Sequence, residues 1–255
     1  MTSRAQDEWH VFLTAVQFLT RLPVPKDLPF SEDLMLRATR YYPLVGGVIG
    51  VIGAAVLWAA SLALPMAVAV LLSMAATIFA TGAFHEDGMA DAADGLGGGM
   101  TRDRALEIMR DSRIGTYGTV ALGMVLALKA TVLTSLAVSD AVVAVILAHI
   151  VSRAATVQIV SMDSYAREVG AKFVTPTVVP GAYRFAMLTG ALTLLVGAVW
   201  FGIGAMLVAV AVAGVAAGVF RAMMLRKVQG YTGDCLGAIQ QLSELGLYLG
   251  LALWL

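Results

Sequence analysis

The chain has 255 residues, 59% of them hydrophobic and only 13% charged, with a mean hydropathy of +0.84. Soluble domains are roughly 45–50% apolar, so the composition excludes an ordinary soluble globule and points to a polytopic membrane protein. Formal net charge is zero, from 17 basic and 17 acidic residues, which removes any global electrostatic basis for nucleic-acid binding.

The single cysteine, Cys235, excludes an intrachain disulfide, and one Cys with three His gives no zinc-type ligand cluster. At the N-terminus, Asp7 and Glu8 precede an apolar run at 11–20 that Gln17 interrupts and Arg21-Leu22-Pro23-Val24-Pro25 ends. That is no signal peptide, and its length suits an interfacial or re-entrant helix better than a span. Ser31-Glu32-Asp33 reads as a helix start, so residues 1–40 form an N-terminal interfacial or cytoplasmic segment.

Runs long enough to cross about 30 Å of hydrocarbon lie at 44–64, 66–84, 116–138, 141–162, 185–202, 205–224 and 236–255. The last carries Gln240, Gln241 and Glu244 in its first half. The expected fold is therefore all-α: a polytopic integral-membrane helical bundle of about seven transmembrane helices with short cytoplasmic or interfacial helices, forming a single domain over 1–255.

Seven crossings place the N-terminus and the 85–115, 163–184 and 225–235 loops on one side. Only tight turns near Pro65, Asp140 and Gly202 face the other. All Lys and Arg residues except Lys129, which sits within a span, fall on the loop side or at its helix ends. By the positive-inside rule that side is cytoplasmic. The asymmetry argues against a transporter, which is expected to keep polar groups along a path to both faces. Gly46-Gly47 with Gly50 and Gly53, and Ala213-Gly214 with Ala217-Gly218, read as small residues for close helix packing.

The densest polar chemistry is His85-Glu86-Asp87-Gly88-Met89-Ala90-Asp91-Ala92-Ala93-Asp94-Gly95, followed by a glycine run to Gly99. In a helix, Asp91 and Asp94 follow Asp87 at i+4 and i+7 and share its face, with Glu86 one position round. An unneutralised stripe of this kind repels itself. Mg²⁺ takes hard oxygen ligands and completes its shell with water and substrate phosphate, so the stripe reads as a metal site.

Three further constellations stand out. In Arg110-Asp111-Ser112-Arg113-Ile114-Gly115, arginines suited to bidentate phosphate contact flank a carboxylate that could ligate metal or act as a base. The preceding Arg102, Asp103 and Arg104 read as an amphipathic surface helix. Gly230-Tyr231-Thr232-Gly233-Asp234-Cys235 joins two spans and, with Glu244 and the two glutamines, makes a polar strip. His149 and Arg153 are i,i+4 on one span, where a buried arginine must find a partner.

The 85–95 stretch, Ile108-Met109-Arg110-Asp111-Ser112-Arg113-Ile114-Gly115-Thr116-Tyr117-Gly118 and Tyr231-Thr232-Gly233-Asp234-Cys235-Leu236-Gly237-Ala238 together resemble the cobalamin synthase family. Phe18-Leu19-Thr20-Arg21-Leu22-Pro23-Val24-Pro25 and Tyr42-Pro43-Leu44-Val45-Gly46 are similar to it as well. The resemblance covers nearly the whole chain, with several motifs in order. It implies a Mg²⁺-dependent transferase in a bacterial inner membrane that joins α-ribazole, or its 5′-phosphate, to adenosylcobinamide-GDP and releases GMP. It assigns Glu86, Asp87, Asp91 and Asp94 to metal, and His85, Arg110, Arg113, Arg153, Arg167 and Asp234 to substrate. Asp94 or Asp111 is the candidate base, with Asp91 also in the reacting group, and residues 85–115 form the metal- and phosphate-binding loop. The implied partners are the two substrates and the bilayer; self-association and association with other cobamide-pathway enzymes are both open. Glu168-Val169-Gly170-Ala171-Lys172 departs from the family in being less glycine-rich.

Two rivals make different demands. A CDP-alcohol-type phosphotransferase acting on a lipid alcohol would resemble Asp-x-x-Asp-Gly-x-x-Ala-Arg followed by Gly-x-x-x-Asp-x-x-x-Asp, an order this chain lacks. A divalent-cation channel or transporter would use the acidic stripe as its mouth, against which the nearly charge-free opposite face counts.

Overall fold

The computed structural model describes residues 4–167 and 177–255, so the 168–172 departure lies outside the described residues. The helices are α1 (Arg4–Leu19), α2 (Glu32–Ala38), α3 (Tyr42–Ser61), α4 (Met66–Thr81), α5 (Phe84–Gly98), α6 (Arg102–Ile108), α7 (Thr116–Ser135), α8 (Val138–Met162), α9 (Pro180–Phe201), α10 (Ile203–Val228) and α11 (Gly233–Trp254). No named strand occurs among the described residues; one isolated parallel bridge joins Tyr165 and Tyr231.

Large apolar side chains cover the outside of the bundle. Leu71, Phe79, Val120, Leu195, Val199, Leu207 and Val215 are all exposed, a pattern that only a hydrocarbon solvent makes favourable. The interior is built by close backbone approach instead. On α3, a Cβ added at Gly46 would lie 2.2 Å from the His149 carbonyl oxygen of α8, and one at Gly50 would lie 2.8 Å from the Ile146 Cα. Small residues thus let α3 and α8 lie antiparallel in contact. The expected role of Gly214 and Gly218 does not hold within this chain, since neither meets anything within 4 Å. Their neighbour Ala213 is the packing residue, seated on Gly246 of α11.

Five helices are long and apolar enough to cross a membrane, or six if the bent pair α4–α5 counts as one broken span. The count of about seven differs at two places. α4 has only 16 residues and ends where Gly82 (φ 66°) and Ala83 (φ 58°), both left-handed, turn the chain so that α5 runs at 88° to it. α11 falls outside the apolar set because its first half is polar. It nevertheless runs antiparallel along α10, Gly246 on Ala213, Gly250 on Ala209 and Trp254 on Gly204. Its 22 residues span about 33 Å at 1.5 Å each. Contacts with α5, α7, α8 and α10 surround it, so it crosses inside protein rather than lipid and has no need of an apolar surface.

The loops expected on one side do meet at one end. Arg102 donates from Nε to the Val228 carbonyl oxygen (3.2 Å) and also reaches the Ala166 carbonyl, while Lys227 bonds the Gly99 carbonyl oxygen at 2.7 Å. Arg102 is therefore a clasp between α6, the end of α8 and the end of α10, not a solvated surface residue. The N-terminal segment joins the same end: the Arg21 amide donates to the Ala80 carbonyl at 2.7 Å. α1 is fastened to α2 by Arg37 with Asp7, and to the next turn by Arg40 and the Tyr41 hydroxyl on Glu8.

Replacing Gly46 by Ala should force α3 from α8 and cost about 1–3 kcal/mol, read as a lowered melting temperature in detergent. Gly214→Ala, in open space, should stay within about 1 kcal/mol of wild type.

Candidate active site

The acidic stripe is helical as expected, and its position follows from one backbone contact. Gly88 of α5 faces the start of α11: a Cβ there would sit 3.0 Å from the Asp234 carbonyl oxygen and 3.2 Å from the Gly237 Cα. A Cβ on Gly237 would in turn meet the Gly88 Cα at 3.1 Å. Two glycines thus let the helices touch, bringing Asp234 to the face that carries Asp87 and Asp91. Thr232 caps α11, its hydroxyl oxygen accepting from the Cys235 amide at 3.2 Å. Arg167 enters from the end of α8 and bonds Asp234 through Nη2 at 2.7 Å.

α5 lies across the end of the bundle, outside the spanning segments. Partial burial and the charges of Asp87, Asp234 and Asp94 push the Asp91 carboxyl up to about 7, against a smaller opposing effect of Arg167. This cluster of hard oxygen donors carries more negative charge than Arg167 offsets. In addition, Glu86 Oε2 is buried with no hydrogen-bond partner among the described residues. Donor type and charge both fit a Mg²⁺-like cation, although no three acidic, His or Cys side chains among the described residues converge as a formed metal cage.

The other predicted residues fall into three places. Asp94, 7% exposed, gives both oxygens to the start of α7, accepting the Gly115 amide at 2.6 Å and the Gly118 amide at 2.9 Å. A helix start leaves such amides without intrahelical partners, and a carboxylate from another helix supplies one here. Asp111 and Arg113 pair with each other on the exposed 109–115 turn, with Arg113 Nη2 2.6 Å from Asp111 Oδ2. That guanidinium holds the Asp111 carboxyl down at about 2, which makes it a weak base near neutrality. Arg110 is also exposed, and its guanidinium makes no hydrogen bond or ion pair to another described residue, which leaves it open to an anion.

His85 and Arg153 lie inward. Arg153 is 2% exposed and bonds the His149 carbonyl and ring Nδ1, both at 3.0 Å. His85 is 5% exposed, and the His149 ring lies 3.6 Å from Glu244 Oε2. These side chains form an interior polar network whose chief members, Lys129 with Gln241 and Glu244, sequence reasoning left unassigned. The local signals were a lone lysine inside an apolar span and the polar first half of the last helix, with nothing in either to show that they meet.

Asp91 is protonated in the native state and ionised in the unfolded chain between roughly pH 4 and 7. The unfolded state then binds fewer protons, so metal-free protein should lose stability as pH rises through that window. Asp91→Asn should flatten the profile in thermal melts. Asp94→Ala should instead lower stability at every pH, by about 1–3 kcal/mol for lost charged hydrogen bonds.

The comparisons with known proteins agree with one another. The chain is 44% identical over 252 residues to the adenosylcobinamide-GDP ribazoletransferase of Leptothrix cholodnii, covering 95% of each chain. It is 42% identical over 253 residues to the protein of that name from Shewanella amazonensis, with 96% of each covered. The Vibrio cholerae protein of that name is 43% identical over 242 residues, covering 94% of this chain and 92% of the relative. No solved structure matches the chain. The family model described as cobalamin-5-phosphate synthase matches residues 11–252, nearly the whole bundle from α1 to the last turn of α11, and the chain belongs to that family.

Proposed function

We propose that this protein is an adenosylcobinamide-GDP ribazoletransferase, joining α-ribazole or its 5′-phosphate to adenosylcobinamide-GDP with release of GMP. The observation that carries the reading is the meeting of Asp87, Asp91 and Asp234 with Arg167 at the Gly88–Gly237 contact, in a chain whose relatives bear that name over more than nine-tenths of their length. The multi-pass bundle fits a membrane enzyme. The inner membrane, with the site on the cytoplasmic face, is the setting that the basic-residue bias supports.

The reaction breaks one phosphoanhydride and forms one phosphate ester. A hydroxyl oxygen of α-ribazole attacks the phosphorus attached to cobinamide, the bond to the GMP oxygen breaks, and the hydroxyl proton passes to a carboxylate. Transfer of this kind asks for positioning and charge neutralisation more than covalent help. In this reading Glu86, Asp87, Asp91 and Asp234 would hold Mg²⁺, which when bound would neutralise the charge of the pyrophosphate. Arg167, oriented by Asp234, and Arg110, whose guanidinium is free of the described residues, would take the phosphates. Asp94 sits behind them as the tie between α5 and α7, with Arg113 held by Asp111. Acceptance of the proton falls to the Asp87–Asp91 face, since Asp94 is engaged with amides and Asp111 is held low.

The test is GMP release from adenosylcobinamide-GDP by purified protein in detergent, with and without α-ribazole and Mg²⁺. Release should require both, and Asp87→Ala and Asp234→Ala should each cut it by about 10²–10³-fold. Failure of folded wild type to release GMP would overturn the reading and turn attention to a lipid-alcohol acceptor.

A further inference from the structure

We propose that the buried ion pair between Lys129 of α7 and Glu244 of α11 is a positioning device for the Glu86 carboxylate, acting through the side-chain amides of Gln240 and Gln241. The pair is enclosed, with side chains 5% and 6% exposed and a 2.9 Å contact between Lys129 Nζ and Glu244 Oε1. Its two charges act on the two amides in one sense.

An ammonium donates and cannot accept. Lys129 Nζ donates to Gln241 Oε1 at 2.6 Å, which fixes the oxygen end of that amide toward α7. The nitrogen end is thereby turned outward, where Gln241 Nε2 donates to Glu86 Oε1 and to Gln240 Oε1, both at 2.9 Å. A carboxylate accepts and cannot donate. Glu244 Oε2 receives Gln240 Nε2 at 2.6 Å, and the same nitrogen donates to Ser152 Oγ at 3.0 Å. That leaves Gln240 Oε1 as the acceptor that Gln241 needs. The Tyr248 hydroxyl closes the set by donating to Glu244 Oε1 at 3.2 Å.

The relay ends on Glu86, in the first turn of the acidic helix. One carboxylate oxygen is held by Gln241; the other is buried and free of hydrogen bonds among the described residues. Pinning one oxygen sets where the second points, as hydrogen bonds behind metal-ligating carboxylates do generally. The interior charges therefore reach the reaction site without touching substrate, and the inference rests on Glu86 being a ligand for the divalent cation.

The experiment measures Mn²⁺ binding to the full-length protein in detergent by electron paramagnetic resonance, without substrate, alongside thermal melts. Gln241→Leu keeps Lys129 beside Glu244 and removes the bond to Glu86. It should weaken Mn²⁺ binding by about 10–100-fold in protein that still melts cooperatively. Gln241→Asn stays polar but is one methylene too short to bridge Lys129 and Glu86; it carries the same expectation and serves if the leucine variant does not fold. Lys129→Arg, which keeps a donor-only cation, should retain most of the affinity. A folded Gln241 variant that binds Mn²⁺ within about twofold of a binding wild type would overturn the positioning role alone. Equal Mn²⁺ affinity in wild type and Glu86→Ala, or no binding by wild type, would overturn Glu86 as a ligand and this inference with it.

Discussion

The contact of Gly88 with Gly237 is the constraint on which the rest depends. Small residues at a seam let two helices approach to backbone contact, and here glycines on both sides join segments about 150 residues apart. The acidic stripe of α5 supplies two carboxylates to the meeting point and the start of α11 supplies the third. Without this packing, Asp234 would be a loop residue and Arg167 would have no carboxylate to orient it. The sharp turn at Gly82 and Ala83 serves the same end. It swings α5 across the bundle instead of letting α4 continue, so the stripe lies over the N-terminus of α11.

What could be read along the chain was what depends on local periodicity. The apolar runs anticipated α3, α7, α8, α9 and α10, and the i, i+4, i+7 spacing of Asp87, Asp91 and Asp94 was borne out by a helix over Phe84–Gly98. The described parts of the loops predicted to share one side do so, because alternation of crossings leaves little freedom. Pairing between distant elements was not legible. Asp94 continues the stripe in sequence, yet its oxygens are engaged by Gly115 and Gly118, which no helical repeat within α5 could reveal. Arg153 needed a buried partner and found one in its own turn, at His149. The helix read at Arg102, Asp103 and Arg104 is α6, which stops at Ile108; Asp111 lies beyond it, paired with Arg113.

α11 shows why hydropathy alone misjudges a central helix. A span facing lipid must be apolar, whereas one surrounded by other helices can carry Gln240, Gln241 and Glu244, provided that each finds a partner. Lys129 meets that condition from α7, at sequence separations of 112 and 115. Removing either member of such a pair leaves an uncompensated buried charge, a loss of about 3–5 kcal/mol. The lone lysine in an apolar span and the polar half of the last helix were each anomalous in sequence; together they form one interaction.

That pairing also bears on the transport alternative. A conducting path requires polar groups that offer themselves to a passing ion and then release it. Here the polar groups around Lys129 are committed to one another: Lys129 to Glu244 and Gln241, Gln240 to Glu244 and Ser152, Tyr248 to Glu244. Beyond them, toward the opposite end, the bundle closes on apolar residues such as Leu57, Val70, Leu133 and Leu136. The polar network joins the acidic site at Glu86 and stops inside the protein. Its geometry suits holding a carboxylate in place at one membrane face, and a phosphoryl-transfer site needs such fixed positioning.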